Sequence, residues 1–186
     1  GFDFLGFRII LVKRKLGAYK VKIYPAKAHQ ISILDTTRQL IAARKACSSY
    51  QLIEDLRPKI IGWGNYYNSC ECKSVFSKLS NDIFQQIRAW VFRRDSRHGR
   101  YIVKEKYFPS GKSYIFNGKQ YKDNWILVGK QKDKSGKMHE NFLPHMSWIK
   151  RRKHVMVKGD ATPFDKQLQT YWTTRSKKYL PERISA

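Results

Sequence analysis

The feature that most restricts the fold is a set of three apolar stripes at helical spacing, at residues 33–41, 53–67 and 76–91. Within each stripe the apolar residues recur every three or four positions, so they fall on one face of an α-helix. Three such helices joined by short loops can cover one another's apolar faces, which predicts a three-helix bundle. We expect Ser74 to cap the third helix and Pro58 to begin a new helical segment within the second stripe.

The chain before the bundle changes to a period of two. Tyr19, Val21 and Ile23 alternate with Lys20 and Lys22, which predicts a β-strand with one apolar face and one lysine face. The strand completes a predicted β-hairpin over residues 1–24, with its turn at residues 13–17. The lysine face has two readings, a nucleic-acid contact or a simply solvated surface.

The chain after the bundle is less regular. Asn117-Gly118 between two short β-like runs predicts a type I′ hairpin. We also expect a strand at 125–128, a mobile loop at 130–137 and a short helix at 165–175. The expected fold is therefore mainly α with small β parts (α+β). Its expected divisions are an N-terminal hairpin at 1–24, the bundle at 25–98 and an irregular basic region with short β-hairpins at 99–186.

The net charge of +24 on 186 residues restricts the function. A compact body with this charge repels itself unless a polyanion screens it. Hydrophobic residues make up 41% and aromatic residues 14% of the chain, which excludes a wholly disordered basic tail. The cations can bind phosphates while the aromatic rings stack on bases, so the composition predicts a nucleic-acid-binding protein. The apolar runs are too short to cross a bilayer, and we expect no membrane partner.

Catalytic and metal-binding patterns are missing from the sequence. The 14 acidic residues are scattered, with no Asp-Asp or Asp-x-Asp pair to hold divalent ions. Cys70-x-Cys72 lacks the two-residue gap of a zinc knuckle, and His139, His145 and His154 are irregularly spaced. We therefore expect no catalytic residue, no metal site and no cofactor in this chain.

The cysteine count and the N-terminus bear on location. Three cysteines do not make a disulfide framework, so we expect a reducing compartment, either the bacterial cytoplasm or an organellar matrix or stroma, rather than secretion. The chain has no initiating Met and no signal peptide, and it opens within a β-like pattern. We expect it to be a fragment of a longer protein.

The most distinctive stretch, residues 56–67, reads Leu-Arg-Pro-Lys-Ile-Ile-Gly-Trp-Gly-Asn-Tyr-Tyr. It resembles the Leu-Asn-Pro-x-Ile-Arg-Gly-Trp-Ala-Asn-Tyr-Tyr signature of the thumb, or domain X, of group II intron-encoded reverse transcriptases/maturases. Arg57, Ile61 and Gly64 depart from that signature. Residues 1–7 are similar to the Phe-Leu-Gly-Phe block that closes the palm of these enzymes. The pattern at 76–98 fits the same thumb, and residues 159–175 resemble the link from the thumb to the DNA-binding part.

The resemblance implies an RNA-binding maturase module that stabilises the folded intron RNA for splicing and clamps the template-primer RNA–DNA duplex. The parent family are RNA-directed DNA polymerases of mobile genetic elements that spread by retrohoming, so target DNA is a further implied partner of residues 99–186. The family's Tyr-Ala-Asp-Asp site, where Mg²⁺ is expected, would lie upstream of Gly1. The resemblance therefore does not imply that this chain polymerises.

Two other classes of protein fit part of the pattern. A stand-alone DNA-targeting or endonuclease-like domain fits the charge but needs a carboxylate or histidine metal site. A structural RNA-binding protein also fits the charge but leaves the block at 62–67 as coincidence.

The candidate RNA- or DNA-binding residues are basic or polar positions that lie off the apolar stripes, in the basic runs or in the motifs of the resemblance. Trp63 lies on its stripe and is expected in the core, whereas Gly62 and Gly64 each cost about 1 kcal/mol in a helix and indicate the close approach of another backbone or a phosphate. The candidates are Lys20, Lys22, Arg38, Arg44, Lys45, Arg57, Lys59, Asn65, Tyr66, Arg93, Arg94, Arg97, Lys150, Arg151, Arg152, Lys153, Lys158 and Arg175.

Overall fold

The structure, a computed structural model, describes residues 1–15, 17–152 and 156–179, with side chains described as far as residue 176. It is 47% helical and 20% strand, which confirms a mainly α fold with small antiparallel β parts. The chain forms two compact units, Gly1–Lys153 and His154–Ala186. No helix in the described residues has the length and apolar character needed to cross a bilayer.

Three helices form the core of the first unit, as the stripes predict. They are α1 (Lys27–Ala43), α2 (Ser49–Tyr67) and α3 (Lys73–Arg94). Their apolar stripes meet in one core, whose centre includes Leu56, Phe76 and Leu79 at 1% exposure or less. α2 begins after Ser48, whose side chain accepts a hydrogen bond from the backbone N–H of Gln51.

Two expectations about the ends of these helices are wrong. Pro58 lies inside a continuous α2, because the buried residues on either side hold the helix in the core while Pro58 and the Glu54 carbonyl it leaves unpaired lie on the exposed face. Ser74 lies within the first turn of α3 rather than before it. The position before α3 belongs to Cys72, which is buried and whose carbonyl accepts from the Phe76 N–H.

The N-terminal segment is a three-stranded antiparallel sheet of β1 (Phe2–Phe4), β2 (Phe7–Lys13) and β3 (Tyr19–Pro25), paired in the order β1-β2-β3. β2 and β3 form the predicted hairpin. The two-residue turn between β1 and β2 has Leu5 at φ 46° and Gly6 at φ 81°, which are the positive φ values that a type I′ turn requires. A Cβ on Gly6 would lie only 2.7 Å from the Tyr67 hydroxyl, so this turn packs directly against α2.

The two faces of this sheet differ in their surroundings. On the apolar face Leu11, Tyr19 and Val21 are more than half exposed. On the other face Lys20 and Lys22 extend toward Glu71 in the loop between α2 and α3. The predicted alternation is therefore present: the lysine face pairs with the loop after α2, and at the other end of β2 Phe7, on the apolar face, packs against Tyr67 of α2.

A short helix, α4 (Arg100–Tyr107), and two hairpins follow the bundle. β4 (Ser113–Phe116) and β5 (Lys119–Lys122) are joined by Asn117 and Gly118 at φ 48° and 67°, which confirms the type I′ turn. β6 (Val128–Lys132) and β7 (Met138–Phe142) form the second hairpin.

The second hairpin corrects two expectations. The segment 130–137 is not a loop throughout, since β6 continues to Lys132 and the Asp133 carboxylate closes the turn by accepting from the N–H groups of Ser135 and Lys137. The strand expected at 125–128 begins only at Val128. Gly129 sets its place, because a Cβ there would overlap the backbone of Tyr50 at the start of α2.

In the second unit a 3₁₀ turn (Lys166–Leu168) leads into α5 (Gln169–Tyr179), where a short helix is predicted. The Asp165 side chain accepts from the Gln167 N–H at the start of this turn.

Candidate nucleic-acid interface

A surface groove runs between α1 and α2. Its first part, of about 420 Å³, is lined by His29, Ile33 and Thr36 of α1 and by Lys59, Trp63, Tyr66 and Tyr67 of α2. Its second part, of about 560 Å³, is lined by Leu40 and Arg44 of α1 and by Glu54, Asp55, Pro58 and Lys59 of α2. Lys59 lines both parts, and we call the two together the α1–α2 groove. From His29 to Arg44 it follows about 22 Å of α1 at 1.5 Å per residue.

The sequence forms this groove because polar residues flank the apolar stripes of both helices. On α2, Asp55, Lys59 and Tyr66 lie beside the buried stripe at spacings of four and seven residues. On α1, Ile33 is buried and Leu40 half-buried. The groove therefore has an apolar floor and polar walls.

Positive charge is unequally distributed along the groove. The Arg44 Nε lies 2.8 Å from Asp55 Oδ2, so this arginine is paired within the wall. The Lys59 side chain is exposed and has no carboxylate partner among the described residues. Lys59 is thus the cation at the centre of the groove that is available to an anionic ligand.

Aromatic rings form one end of the groove. Tyr66 is 56% exposed, and its hydroxyl donates to the Leu5 carbonyl at 3.0 Å. Its ring is stacked with Phe7 at a centroid distance of 5.5 Å. Trp63 is half-buried against Tyr67 and Phe76, as its place on the stripe predicts.

Tyr67 belongs to the core at this end. It is 2% exposed, and burial raises the pKa of its phenol to about 12. The phenol is therefore uncharged at neutral pH.

The two glycines of α2 have different surroundings. A Cβ on Gly64 would overlap the Ile149 side chain, so the predicted close approach occurs there, to the segment after the 3₁₀ turn Met146–Trp148. Gly62 has no neighbour within 4 Å of a Cβ position. It lies three residues from Lys59 and four from Tyr66, so the backbone of α2 is bare beside the groove.

Arg94 is engaged inside the fold. Its guanidinium donates to the carbonyls of Lys45, Ala46 and Cys47 in the loop between α1 and α2. The same group lies 4.9 Å from the centroid of the Trp90 ring. Arg94 therefore ties the end of α3 to a loop that follows α1.

Arg57 also makes contacts within the fold, on the side of α2 that faces β7. It donates to the Asn141 side-chain oxygen at 2.5 Å and lies over the Phe142 ring at 5.3 Å. Arg57 thus joins α2 to β7, whereas Lys59, two residues later, is exposed in the groove.

Three other candidate cations pair with nearby carboxylates. Lys20 and Lys22 lie 3.4 and 3.6 Å from the carboxylate of Glu71. Burial opposes ionisation of Glu71, but the two ammonium groups outweigh it and lower the pKa of this carboxyl. Arg38 lies 2.6 Å from Asp35 on the exposed side of α1.

Five further candidates of the first unit do not line the α1–α2 groove. Lys45, Arg93, Arg97 and Lys150 are exposed and form no ion pair in the part of the chain that the structure describes. Asn65 is exposed as well but does not line the groove.

Two further arginines lie near the loop that follows α2. Arg151 is close enough to Glu71 to help lower the pKa of that carboxyl. The backbone N–H of Arg152 donates to the Asn68 carbonyl at 2.9 Å.

Two candidates belong to the second compact unit. The Lys158 N–H donates to the Tyr171 hydroxyl at 3.1 Å, and Arg175 donates to the Met156 carbonyl at 3.1 Å. Lys153 lies outside the described residues.

The structure therefore gathers Arg44, Lys59 and Tyr66 in one groove, and sequence reasoning missed His29 and Thr36 beside them. Their signal was the spacing 29, 33, 36, 40, 44, which runs along one edge of the apolar stripe of α1.

The described residues contain no cluster of three or more His, Cys, Asp or Glu side chains that could hold a metal ion. Cys70 and Cys72 are buried free thiols, and the hydrogen bond between them together with burial raises the pKa of Cys70.

Comparison with known families gives one match. Residues 31–108 match the family model described as the group II intron, maturase-specific domain. The match spans most of α1 and all of α2, α3 and α4. Comparison with curated proteins found no match.

Proposed function

We propose that the protein binds folded intron RNA and stabilises the conformation in which that RNA splices, because its residues 31–108 match the model of the group II intron, maturase-specific domain. The RNA supplies the splicing chemistry. The protein acts by binding the active conformer more tightly than the alternatives, which shifts the population toward it.

The α1–α2 groove carries this proposal. Lys59 offers a cation that pairs with no carboxylate of the described residues, and Tyr66 offers an exposed ring at one end. Recognition of structured RNA proceeds mainly through phosphates, sugar hydroxyls and unstacked bases, because side chains cannot read the narrow A-form major groove. The groove supplies partners for both phosphates and bases.

The basic segment at 150–158 supports a second contact in the same proposal, with intron RNA or with target DNA. Its five Lys and Arg residues would neutralise about five phosphates, so that log Kd against log salt should change with a slope near 4. A clamp on the template-primer duplex is the corresponding proposal for the parent polymerase.

The test is a binding titration of this chain against its cognate intron RNA and a generic A-form duplex of equal length, each at several salt concentrations. We expect tighter binding to the intron RNA and a steep salt dependence. Equal affinity for both RNAs would favour a general RNA-binding protein. A slope near zero would exclude the electrostatic contact, and Mg²⁺-dependent cleavage of DNA would favour the endonuclease-like alternative.

A further inference from the structure

A second pocket lies on the outer side of α3. Gln85, Arg88, Ala89 and Phe92 recur at i, i+3, i+4 and i+7, so they share one helix face. This face is opposite the buried stripe of α3. Together with Arg100, the first residue of α4, these residues line a pocket of about 250 Å³.

Arg88 is held ready for an anion. Its guanidinium lies 5.7 Å from the centroid of the Phe92 ring. A guanidinium that stacks by its face keeps its in-plane N–H donors available, and that planar fork matches the oxygens of a phosphate. The contact with Phe92 therefore orients Arg88 without using its donors.

The described residues that line this pocket include no carboxylate. Neither Arg88 nor Arg100 pairs with a carboxylate in the described residues. The nearby Asp95 binds Lys106 at 2.8 Å, and Glu105 binds Lys104 at 2.7 Å. Two guanidinium groups in one concavity with no carboxylate favour the binding of an anion.

We propose that this pocket binds a phosphodiester of an RNA strand between Arg88 and Arg100, with Gln85 hydrogen-bonding the adjoining sugar. The inference rests on the proposed function and adds a further contact site, none of whose residues line the α1–α2 groove. The ligand is an RNA strand rather than an acidic protein segment, because the guanidinium edge, the amide and the ring edge fit phosphate, sugar and base in turn.

The test uses Arg88→Gln, Arg100→Gln and the double variant, with Lys78→Gln as a control that removes one exposed charge elsewhere on α3. Each single variant should weaken binding of the intron RNA about 10-fold, and the control less than 3-fold. The double variant should be little weaker than the singles, because both residues grip one phosphate. Its salt slope should fall by about 1. Arg88→Lys keeps the charge but loses the fork, and should recover only part of the affinity.

Each other outcome counts against a specific statement. If the chain binds the intron RNA and the variants match Lys78→Gln, the pocket proposal is overturned and the proposed function stands. If the chain binds a generic duplex equally well but the variants still weaken binding, the proposed function fails and the pocket stands. Binding of poly-glutamate that depends on Arg88 and Arg100, with RNA binding unchanged, overturns the pocket in favour of a protein partner. Failure to bind any RNA overturns both. Urea unfolding checks that all variants are folded, and Arg88→Lys carries the test if a Gln variant is not.

Discussion

Arg94 and Lys59 show two uses of positive charge within one bundle. Arg94 donates hydrogen bonds to backbone carbonyls of the loop after α1 and lies over the Trp90 ring, so its guanidinium stabilises the fold. Lys59 lies in a groove with no carboxylate partner in the described residues. The comparison teaches that net charge alone does not identify binding residues, because a guanidinium that already donates to internal carbonyls has fewer donors left for a ligand.

Arg94→Ala should destabilise the fold. It removes hydrogen bonds to the carbonyls of Lys45, Ala46 and Cys47 and takes the guanidinium away from the Trp90 ring. We expect the free energy of unfolding to fall by about 3 kcal/mol in urea denaturation. Arg93→Ala is the matched control, since Arg93 is exposed and unpaired within the described structure, and it should change stability by less than about 0.5 kcal/mol. Equal effects of the two substitutions would contradict the structural role of Arg94.

Lys59→Ala should weaken RNA binding without destabilising the fold. We expect RNA affinity to fall about 5- to 10-fold and the salt slope to fall by about 1. The free energy of unfolding should stay within about 0.5 kcal/mol, because the side chain is exposed. Lys27→Ala, which removes a charge from the exposed first turn of α1, is the control and should leave binding nearly unchanged. A loss of stability without a loss of affinity would show that Lys59, like Arg94, has a structural role and does not bind RNA.

Gly62→Ala should change stability and RNA affinity in opposite directions. A Cβ at this position meets nothing within 4 Å, so the better helix propensity of alanine should raise the free energy of unfolding by about 0.5–1 kcal/mol. If RNA approaches the bare backbone beside Lys59, the same methyl group should weaken binding measurably. An increase in stability with unchanged affinity would show that the ligand does not touch this turn. Gly64→Ala is the contrast, since it should destabilise by overlap with Ile149.

His145, in contrast to Lys59 and Arg94, lies in surroundings that disfavour a positive charge. Burial lowers the pKa of its imidazole, and the ring stacks against Trp148 at 5.6 Å. Protonation is therefore easier in the unfolded chain, so this contribution to stability is complete above the unfolded pKa of about 6.5 and is lost as the pH falls below it. We expect thermal unfolding to show a drop in stability between pH 7 and pH 5 that is reduced in His145→Gln. His139→Gln, at an exposed histidine, should keep the drop.

The helical bundle was more predictable from the sequence than the candidate site. The three stripes and Asn117-Gly118 are local patterns, so they predicted three helices and one hairpin correctly. The hairpin of β6 and β7 was missed because its strands are mostly exposed and polar, with no alternation to detect.

The candidate site was only partly predictable because its geometry depends on distant contacts. Arg57 meets Asn141 across 84 positions, and Arg94 meets the loop at 45–47 across nearly 50. Nothing local distinguishes these arginines from Lys59. The groove itself depends on which flank of α1 faces which flank of α2, and that is decided by packing.

The hydrogen bond from Tyr66 to the Leu5 carbonyl links the aromatic wall to the strained turn between β1 and β2. A ligand that swings this phenol ring outward must break that bond, which is one of the contacts that hold the turn against α2. Faster amide exchange at Leu5 and Gly6 would then report that the groove is occupied, without any label on the RNA.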